Sequence, residues 1–101
     1  MVEVNWTESA LLDLEGIAEY ISRDSIRYAE ITVSRLFESV DILEDFPESG
    51  SIVPEFKNQK IRQLIRGSYR IIYFVSNPSR VDVLTIHHSA RLLPDLKGLI
   101  E

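Results

Sequence analysis

Apolar and polar residues alternate at the start of the chain. Val2, Val4 and Trp6 occupy every second position, which places them on one face of a short predicted strand. Thr7 follows, and its hydroxyl can cap the N-terminus of a helix. Glu8 then lies in the first turn, where the helix dipole favours a negative charge. The pattern predicts a strand that leads directly into a helix.

Two segments with apolar residues spaced by three and four positions come next, and this is the period of an amphipathic helix. In the first segment these residues are Ala10, Leu14, Ile17, Ala18 and Ile21, with Leu11 beside them. In the second segment they are Ala29, Val33, Leu36, Phe37, Val40 and Leu43. A polar break at 22–25 separates the two helices. We expect the second helix to end near Asp45–Phe46, because Pro47 disfavours helical backbone in the residue before it. The two helices predict an antiparallel hairpin.

Three short β signals fill the rest of the chain, at 61–66, 69–75 and 81–88. Turn residues separate them, which favours an antiparallel meander with 69–75 at its centre. Residues 52–60 contain Pro54 and are predicted to form an irregular connection. The element order is β-α-α-β-β-β. It predicts a single α+β domain over 1–101, in which the N-terminal helical hairpin packs on a small antiparallel sheet.

Composition narrows the class of protein. The chain has 101 residues and no cysteine, which excludes a disulfide scaffold, a thiolate metal site and a cysteine nucleophile. No apolar run is long enough to span a bilayer, and the N-terminus lacks the basic and apolar regions of a signal peptide. We therefore expect a cytoplasmic protein. The adjacent histidines His87 and His88 make a poor metal site, because neighbours on a strand point to opposite faces.

The formal net charge of −5 conceals an asymmetry. Residues 1–56 carry 13 acidic and 3 basic side chains, whereas residues 57–101 carry 8 basic and 3 acidic ones. A basic half can face a polyanion, although charge segregation of this kind is also common on solvated surfaces. The acidic average disfavours binding to free nucleic acid and favours a target presented by a large partner.

The residue types best suited to catalysis or to ligand binding lie in the basic half, residues 57–101. Arg62 and Arg66 share one face of the first sheet strand with Leu64, and Arg70 lies on the next strand with Ile72 and Phe74. His88 is predicted on the face of Leu84 and Ile86, and His87 on the face of Val83 and Thr85. Arg91 follows the last strand. If the strands pair as neighbours, Arg62 or Arg66, Arg70, one histidine and Arg91 converge at one end of the sheet.

Such a cluster would suit phosphate chemistry. Guanidinium groups bind phosphate oxygens and stabilise a pentavalent phosphorane, and a histidine can move the protons in RNA cleavage. A purely structural interpretation stays open. Arg70 can pair with a helix carboxylate, one histidine can be a structural residue, and Arg62 and Arg66 can be ordinary surface charges.

Several motifs resemble the RelE/ParE toxins of type II toxin–antitoxin modules. The stretches 65–75 (IRGSYRIIYFV) and 83–91 (VLTIHHSAR) carry the likeness in the sheet. The pattern Ala10-x-x-Asp13-Leu14-x-x-Ile17-x-x-Tyr20-Ile21 carries it in the first helix. The loop Phe46-Pro47-x-x-Gly50 looks like that of ParE-type members. The likeness covers nearly the whole chain.

The resemblance implies two possible mechanisms, neither of which needs a cofactor. RelE-type members cut mRNA on the ribosome, and they imply catalytic roles for Arg70 and Arg91, with Arg62 and His88 as further candidates. ParE-type members poison DNA gyrase and have lost the nuclease residues. This chain has no lysine pair at 61–64 and no C-terminal tyrosine, which favours gyrase poisoning over the nuclease. A plain binding module is the third interpretation.

The resemblance also implies a partner. RelE/ParE toxins are held inactive by an antitoxin, which we expect to come from the adjacent gene and to form a hetero-oligomer with this chain. Candidate contacts with the antitoxin or the target are Leu11, Leu12 and Arg66. The expected cellular target is DNA gyrase or, in the alternative, the mRNA-loaded ribosome.

Overall fold

The computed structural model describes residues 1–89, and their elements follow the predicted order. They are β1 (Glu3–Trp6), α1 (Glu8–Ser22), α2 (Ile26–Glu38), a 3₁₀ turn (Asp41–Glu44), β2 (Ser51–Ile52), β3 (Ile61–Arg66), β4 (Tyr69–Asn77) and β5 (Arg80–His88). The α+β prediction of a helical hairpin on a sheet is confirmed. Within this part of the chain the sheet has the strand order β1-β5-β4-β3-β2.

The sheet departs from the prediction in the pairing of its first strand. The meander β3-β4-β5 is antiparallel as expected, but β1 lies parallel to β5, with Val4 opposite Val81. The expectation of a wholly antiparallel sheet is therefore wrong. The long connection through the helical hairpin and β2–β4 permits this parallel pairing, because β1 and β5 are not joined by a hairpin turn. The connection predicted to be irregular also contributes a strand, because Ser51 and Ile52 pair with β3.

The second helix is shorter than predicted. It ends at Glu38 rather than near Asp45–Phe46, and the chain continues through the 3₁₀ turn. The Ser39 hydroxyl donates to the Leu36 carbonyl (2.7 Å) where the helix ends. Val40 and Leu43 are nevertheless buried, as their spacing predicted. Phe37, expected in the core, is 48% exposed and stacks on Trp6 at 5.1 Å between ring centroids.

The core lies on both faces of the sheet. The larger cluster joins the helices to the sheet and consists of Ala10, Leu14, Leu36, Val40, Leu43, Leu64, Ile71, Tyr73, Val81, Val83 and Ile86. The smaller cluster consists of Val53, Ile61, Ile72 and Leu84, with Phe56 and Phe74 packed against it. We call the first side the helix face and the other the loop face. Both faces of β4 are buried, which explains its almost continuous apolar sequence.

The Thr7 side chain links α1 to β5 through hydrogen bonds. Its hydroxyl accepts from the Ala10 N–H (3.2 Å) as the helix cap and donates to the Val83 carbonyl (2.6 Å). We expect Thr7→Val to lower the free energy of unfolding by about 1–2 kcal/mol, because it removes a cap and an inter-element bond together. Ser25→Ala is the control, since Ser25 caps α2 at an exposed site through Tyr28 alone. Equal losses in urea unfolding would show that the bond from Thr7 to the sheet contributes nothing.

Candidate functional site

Arg70 is the most constrained of the predicted site residues. It lies on β4 with only 8% of its surface exposed. Its Nη1 and Nη2 donate to the two carboxylate oxygens of Glu55 at 2.8 and 2.9 Å, and its Nε donates to Gln63 Oε1 at 2.7 Å. The pairing with a carboxylate that the sequence allowed is therefore present, but the carboxylate comes from the connection between β2 and β3, not from a helix.

Electrostatics holds this pair in its ionised form. The hydrogen bond from Arg70 lowers the pKa of the Glu55 carboxyl, and the bond to Glu55 raises the pKa of Arg70. Burial acts against both shifts, and the paired charges outweigh it. The guanidinium of Arg70 is thus already neutralised by an internal carboxylate bound in the bidentate geometry that a phosphate would use.

Arg62 lies on β3 and is engaged with the backbone. Its Nη1 donates to the Gly50 carbonyl at 2.9 Å and to the Glu48 carbonyl at 3.3 Å. The buried Tyr73 hydroxyl accepts from the Gly50 N–H at 2.9 Å, and burial raises the pKa of Tyr73. Arg62 and Tyr73 therefore fix the loop before β2 from one side of the sheet.

The register separates Arg62 from Arg70. Arg62 lies opposite Tyr73, a residue of the helix face, whereas Arg70 lies opposite Ile65 and His87 and follows the alternation of Ile72 on the loop face. The expectation that Arg62 converges with Arg70 is therefore wrong. The cause is that side chains alternate between the two faces along each strand, whereas directly opposite residues on neighbouring strands share a face. Arg62 therefore shares the face of Tyr73, and Arg70 lies on the other face.

A different set meets at the end of the sheet. Arg66 lies opposite Tyr69, and Tyr69 lies opposite His88, with the Tyr69 and His88 rings edge to face at 5.7 Å between centroids. Arg66 and His88 are exposed. We call Arg66, Tyr69 and His88 the cross-strand row. It combines a permanent cation, an aromatic surface and an imidazole, and it does so on the face of Arg62 rather than that of Arg70.

The histidine faces differ from the prediction. His88 shares a face with Ile86, but Leu84 belongs to the opposite cluster, so the expected set of Leu84, Ile86 and His88 is divided. An additional residue in β5 causes this, since Tyr73 pairs with Val83 while its neighbour Ile72 pairs with Thr85. His87 likewise lies opposite Arg70, away from the face of Val83.

The remaining predicted residues lie elsewhere. Arg91 lies outside the described residues. Leu11 and Leu12 lie on α1, 44% and 57% exposed, as contact positions would be. A shallow groove of about 440 Å³ opens between α1 and α2, with Ala18, Ile26 and Val33 among its apolar lining and Glu19 and Glu30 as its charged residues.

Sequence reasoning missed three residues around these sites. Glu55 and Gln63 bind Arg70, and Tyr69 contacts His88. Gln63 could have been found, because its position on β3 alternates with Arg62 and so falls on the face of Arg70 once β3 and β4 are paired. Glu55 carries no such signal, since it lies in a connection without a period.

Neither a metal centre nor a membrane span is found in the part that is described. Across residues 1–89 no three histidine or carboxylate side chains are grouped to hold a metal ion. The helices within the same range are too short or too polar to cross a bilayer.

Comparison with known proteins decides the family. The family model of the ParE toxin of type II toxin-antitoxin systems, parDE, matches residues 4–93. The chain belongs to this family.

Two relatives with similar sequences are named as toxins, which agrees with membership of the RelE/ParE superfamily. Toxin RelE2 of Caulobacter vibrioides is 34% identical over 93 residues, which cover 91% of this chain and 100% of the relative. Putative toxin Y4kP of Sinorhizobium fredii is 30% identical over 95 residues, 92% of this chain and 94% of the relative.

Solved structures share the ParE/RelE fold. A chain of the chromosomal ParDE TA system from P. aeruginosa matches with a TM-score of 0.71 at 23% identity, covering 87% of this chain and 96% of that one. A chain of the toxin-antitoxin complex RelBE2 from Mycobacterium tuberculosis matches with a TM-score of 0.55 at 20% identity, covering 86% and 96%. The chain is thus a type II toxin of the ParE/RelE superfamily with the fold of its relatives.

Proposed function

We propose that this toxin acts in the cytoplasm by poisoning DNA gyrase, without a cofactor. The observation that carries the proposal is the internal neutralisation of Arg70. Its Nε, Nη1 and Nη2 all donate to Glu55 and Gln63, so the guanidinium is not available to a phosphate while this contact lasts.

The position of Arg62 also supports gyrase poisoning over RNA cleavage. A metal-independent ribonuclease stabilises the charge on its phosphorane with cations that surround one phosphate. Arg62 and Arg70 lie on opposite faces of the sheet and are both engaged within the chain. Together with the match to the ParE model, this favours a toxin that acts by binding a protein target over one that cuts RNA.

The toxin is proposed to be held inactive in a hetero-oligomer with an antitoxin from the adjacent gene. The fold neighbours come from a ParDE TA system and a RelBE2 toxin-antitoxin complex, which supports this partner. Exposed Leu11 and Leu12 on α1 offer apolar contacts, and exposed Arg66 offers a cation to an acidic segment. Co-expression with the neighbouring gene product should give a complex that co-elutes in size-exclusion chromatography, and separate elution at micromolar concentration would contradict this partner.

Purified toxin and gyrase test the activity directly. We expect the toxin to inhibit supercoiling and to raise the amount of gyrase-linked cleaved DNA, and we expect added antitoxin to reverse both effects. In cells, induction should trigger the SOS response and loss of DNA synthesis before protein synthesis falls. Unimpaired supercoiling without trapped cleavage complexes, at toxin concentrations that stop growth, would refute gyrase as the target.

A second candidate function, ribosome-dependent mRNA cleavage, is favoured by the cross-strand row. Arg66 and His88 are exposed side by side with Tyr69, and they could provide a cation, a proton carrier and a stacking surface. If this candidate is correct, mRNA on ribosomes is cut, and Arg66→Ala and His88→Ala each lower the cleavage rate by about 100-fold. His87→Ala is the matched control, because His87 lies on the other face. Intact mRNA with wild-type toxin rejects the candidate.

A further inference from the structure

Strand β5 contains one residue more than β4 does at one point where the two strands pair. Val83 lies opposite Tyr73 on β4, and Thr85 lies opposite the neighbouring Ile72. Leu84 therefore has no partner of its own, which is the arrangement of a β-bulge. The burial pattern agrees, because Val83 and Ile86 pack on the helix face while Leu84 packs on the loop face. Two residues separate Val83 from Ile86, where a regular strand would have one.

The bulge determines which histidine joins the cross-strand row. In an unbroken register that begins at the Val83–Tyr73 pair, Ile86 would lie opposite Arg70 and His87 opposite Tyr69. With the bulge, Ile86 lies opposite Ile71 and His88 opposite Tyr69. A shift of one residue thus exchanges the two adjacent histidines between the faces of the sheet.

Asp13 of α1 binds the backbone immediately after the bulge. Its Oδ2 accepts from the Ile86 N–H at 3.0 Å and from the Thr85 hydroxyl. The pairing of β1 with β5 ends at Val83, so residues 84–88 continue past the last residue of β1. Beyond the end of β1, the Asp13 carboxylate accepts two hydrogen bonds from β5. It thereby takes the place of the backbone hydrogen bonds that β1 makes to the earlier part of β5. Both bonds fit the bulged register, because Thr85 and Ile86 directly follow Leu84 and their pairing with β4 is shifted by the bulge.

We propose that Asp13 is a positioning residue that locks the β5 bulge and so selects His88, not His87, for the cross-strand row. Asp13 belongs to the helix pattern that resembles the family, and its hydrogen bonds come from Thr85 and Ile86, neither of which is a predicted site residue. Its action passes through the backbone of β5. Packing contributes to the same choice, because the unbroken register would turn Thr85 toward Ile71 and Ile86 toward Arg70. The experiment therefore measures the share that belongs to Asp13.

Engineered disulfides measure the register. The chain has no cysteine, so any pair introduced is the only one. The Ser89 N–H donates to the Ser68 carbonyl at 2.8 Å, which makes the next pair, Tyr69 and His88, a non-hydrogen-bonded pair with close side chains. This geometry suits a disulfide. We expect Tyr69→Cys/His88→Cys to oxidise readily in a glutathione buffer, and Tyr69→Cys/His87→Cys to remain reduced.

The same two pairs are then placed in Asp13 variants. Asp13→Leu removes the acceptor of both hydrogen bonds, Asp13→Asn keeps the shape without the charge, and Thr85→Val removes one donor. Glu15→Gln is the matched control, an exposed carboxylate on the same helix. We expect Asp13→Leu to shift the ratio of the two disulfides toward His87 by about tenfold. Asp13→Asn and Thr85→Val should give smaller shifts, and Glu15→Gln none.

The outcomes separate positioning from plain stability. A variant that merely loosens the fold lowers both disulfides together, whereas the proposal requires the His87 pair to gain. A smaller ring-current shift of His88 from Tyr69 in the NMR spectrum of Asp13→Leu should accompany that gain. If Asp13→Leu does not fold, Asp13→Asn and Thr85→Val decide the question. An unchanged ratio in the folded variants overturns the proposal, whatever the cellular target of the toxin is.

Discussion

Gly50→Ala should destabilise the protein by about 3 kcal/mol, because overpacking a site and breaking its hydrogen bonds both act there. A methyl group on Gly50 would lie 2.5 Å from the Gln63 carbonyl oxygen and 2.7 Å from the Tyr73 hydroxyl. Both neighbours are fixed, since Gln63 lies in the β3 ladder and Tyr73 is fully buried. The loop would have to move away and give up the bonds that Arg62 and Tyr73 make to Gly50.

Gly16→Ala is the control for this prediction. A Cβ on Gly16, which lies within α1, would meet no atom within 4 Å. Alanine should therefore stabilise the helix by up to about 1 kcal/mol relative to glycine. Urea unfolding followed by circular dichroism measures both variants. A Gly50→Ala protein as stable as wild type would mean that the loop before β2 is not held in the described position.

Glu55→Gln should lower stability by about 2 kcal/mol at neutral pH, because it leaves the nearly buried guanidinium of Arg70 without its counter-charge. This figure lies below that of a fully buried pair, since the Glu55 side chain is 44% exposed and solvent screens its charge. Glu30→Gln, an exposed carboxylate on α2, is the control and should change stability little.

The difference between wild type and Glu55→Gln should depend on pH. The pKa of Glu55 is lower in the folded protein than the ordinary carboxyl value of 4.5. Its stabilisation is therefore complete above that ordinary value and is lost as the pH falls through the lowered one. Unfolding curves of the two proteins should converge in acid. A constant difference from neutral pH down to strong acid would show that the paired charge of Glu55 does not contribute.

Asp82 also makes the stability of the protein depend on pH in acid. Comparing wild type with Glu55→Gln removes this contribution. Burial opposes its ionisation, but bonds from Ser76, Arg80 and Asn5 outweigh burial and lower its pKa. Both the wild type and Glu55→Gln therefore lose the contribution of Asp82 as the pH falls. The difference between the two curves isolates Glu55.

Local patterns in the sequence predicted the parts of the fold that depend on local chemistry. The helical spacing predicted both helices, and the alternation in 69–75 placed Arg70 with Ile72 and Phe74 on the correct face. The bulge at Leu84 could not be predicted in this way, because Asp13, which binds the backbone beside it, is distant in sequence. One unanticipated residue in β5 was enough to divide the predicted face of His88.

The candidate site was predicted as a list of residues and not as an arrangement. The sequence shows arginines and histidines in the basic half, but it does not state which carboxylate reaches which cation. Glu55 reaches Arg70 only because Val53 and Phe56 pack on the loop face and carry the connection across the sheet. That packing is tertiary, so no periodicity in 52–60 reveals it.

The parallel pairing of β1 with β5 bears on when the toxin acquires its fold during synthesis. Residues 3–6 leave the ribosome long before their partners at 80–83, which are among the last of the described residues to be made. The hairpin of α1 and α2 can form early, whereas the sheet stays open at its β1 edge until β5 emerges. Contacts of such long sequence separation also form slowly. Completion of the fold, and with it any toxic activity that requires the complete sheet, is thereby deferred until β5 has been made.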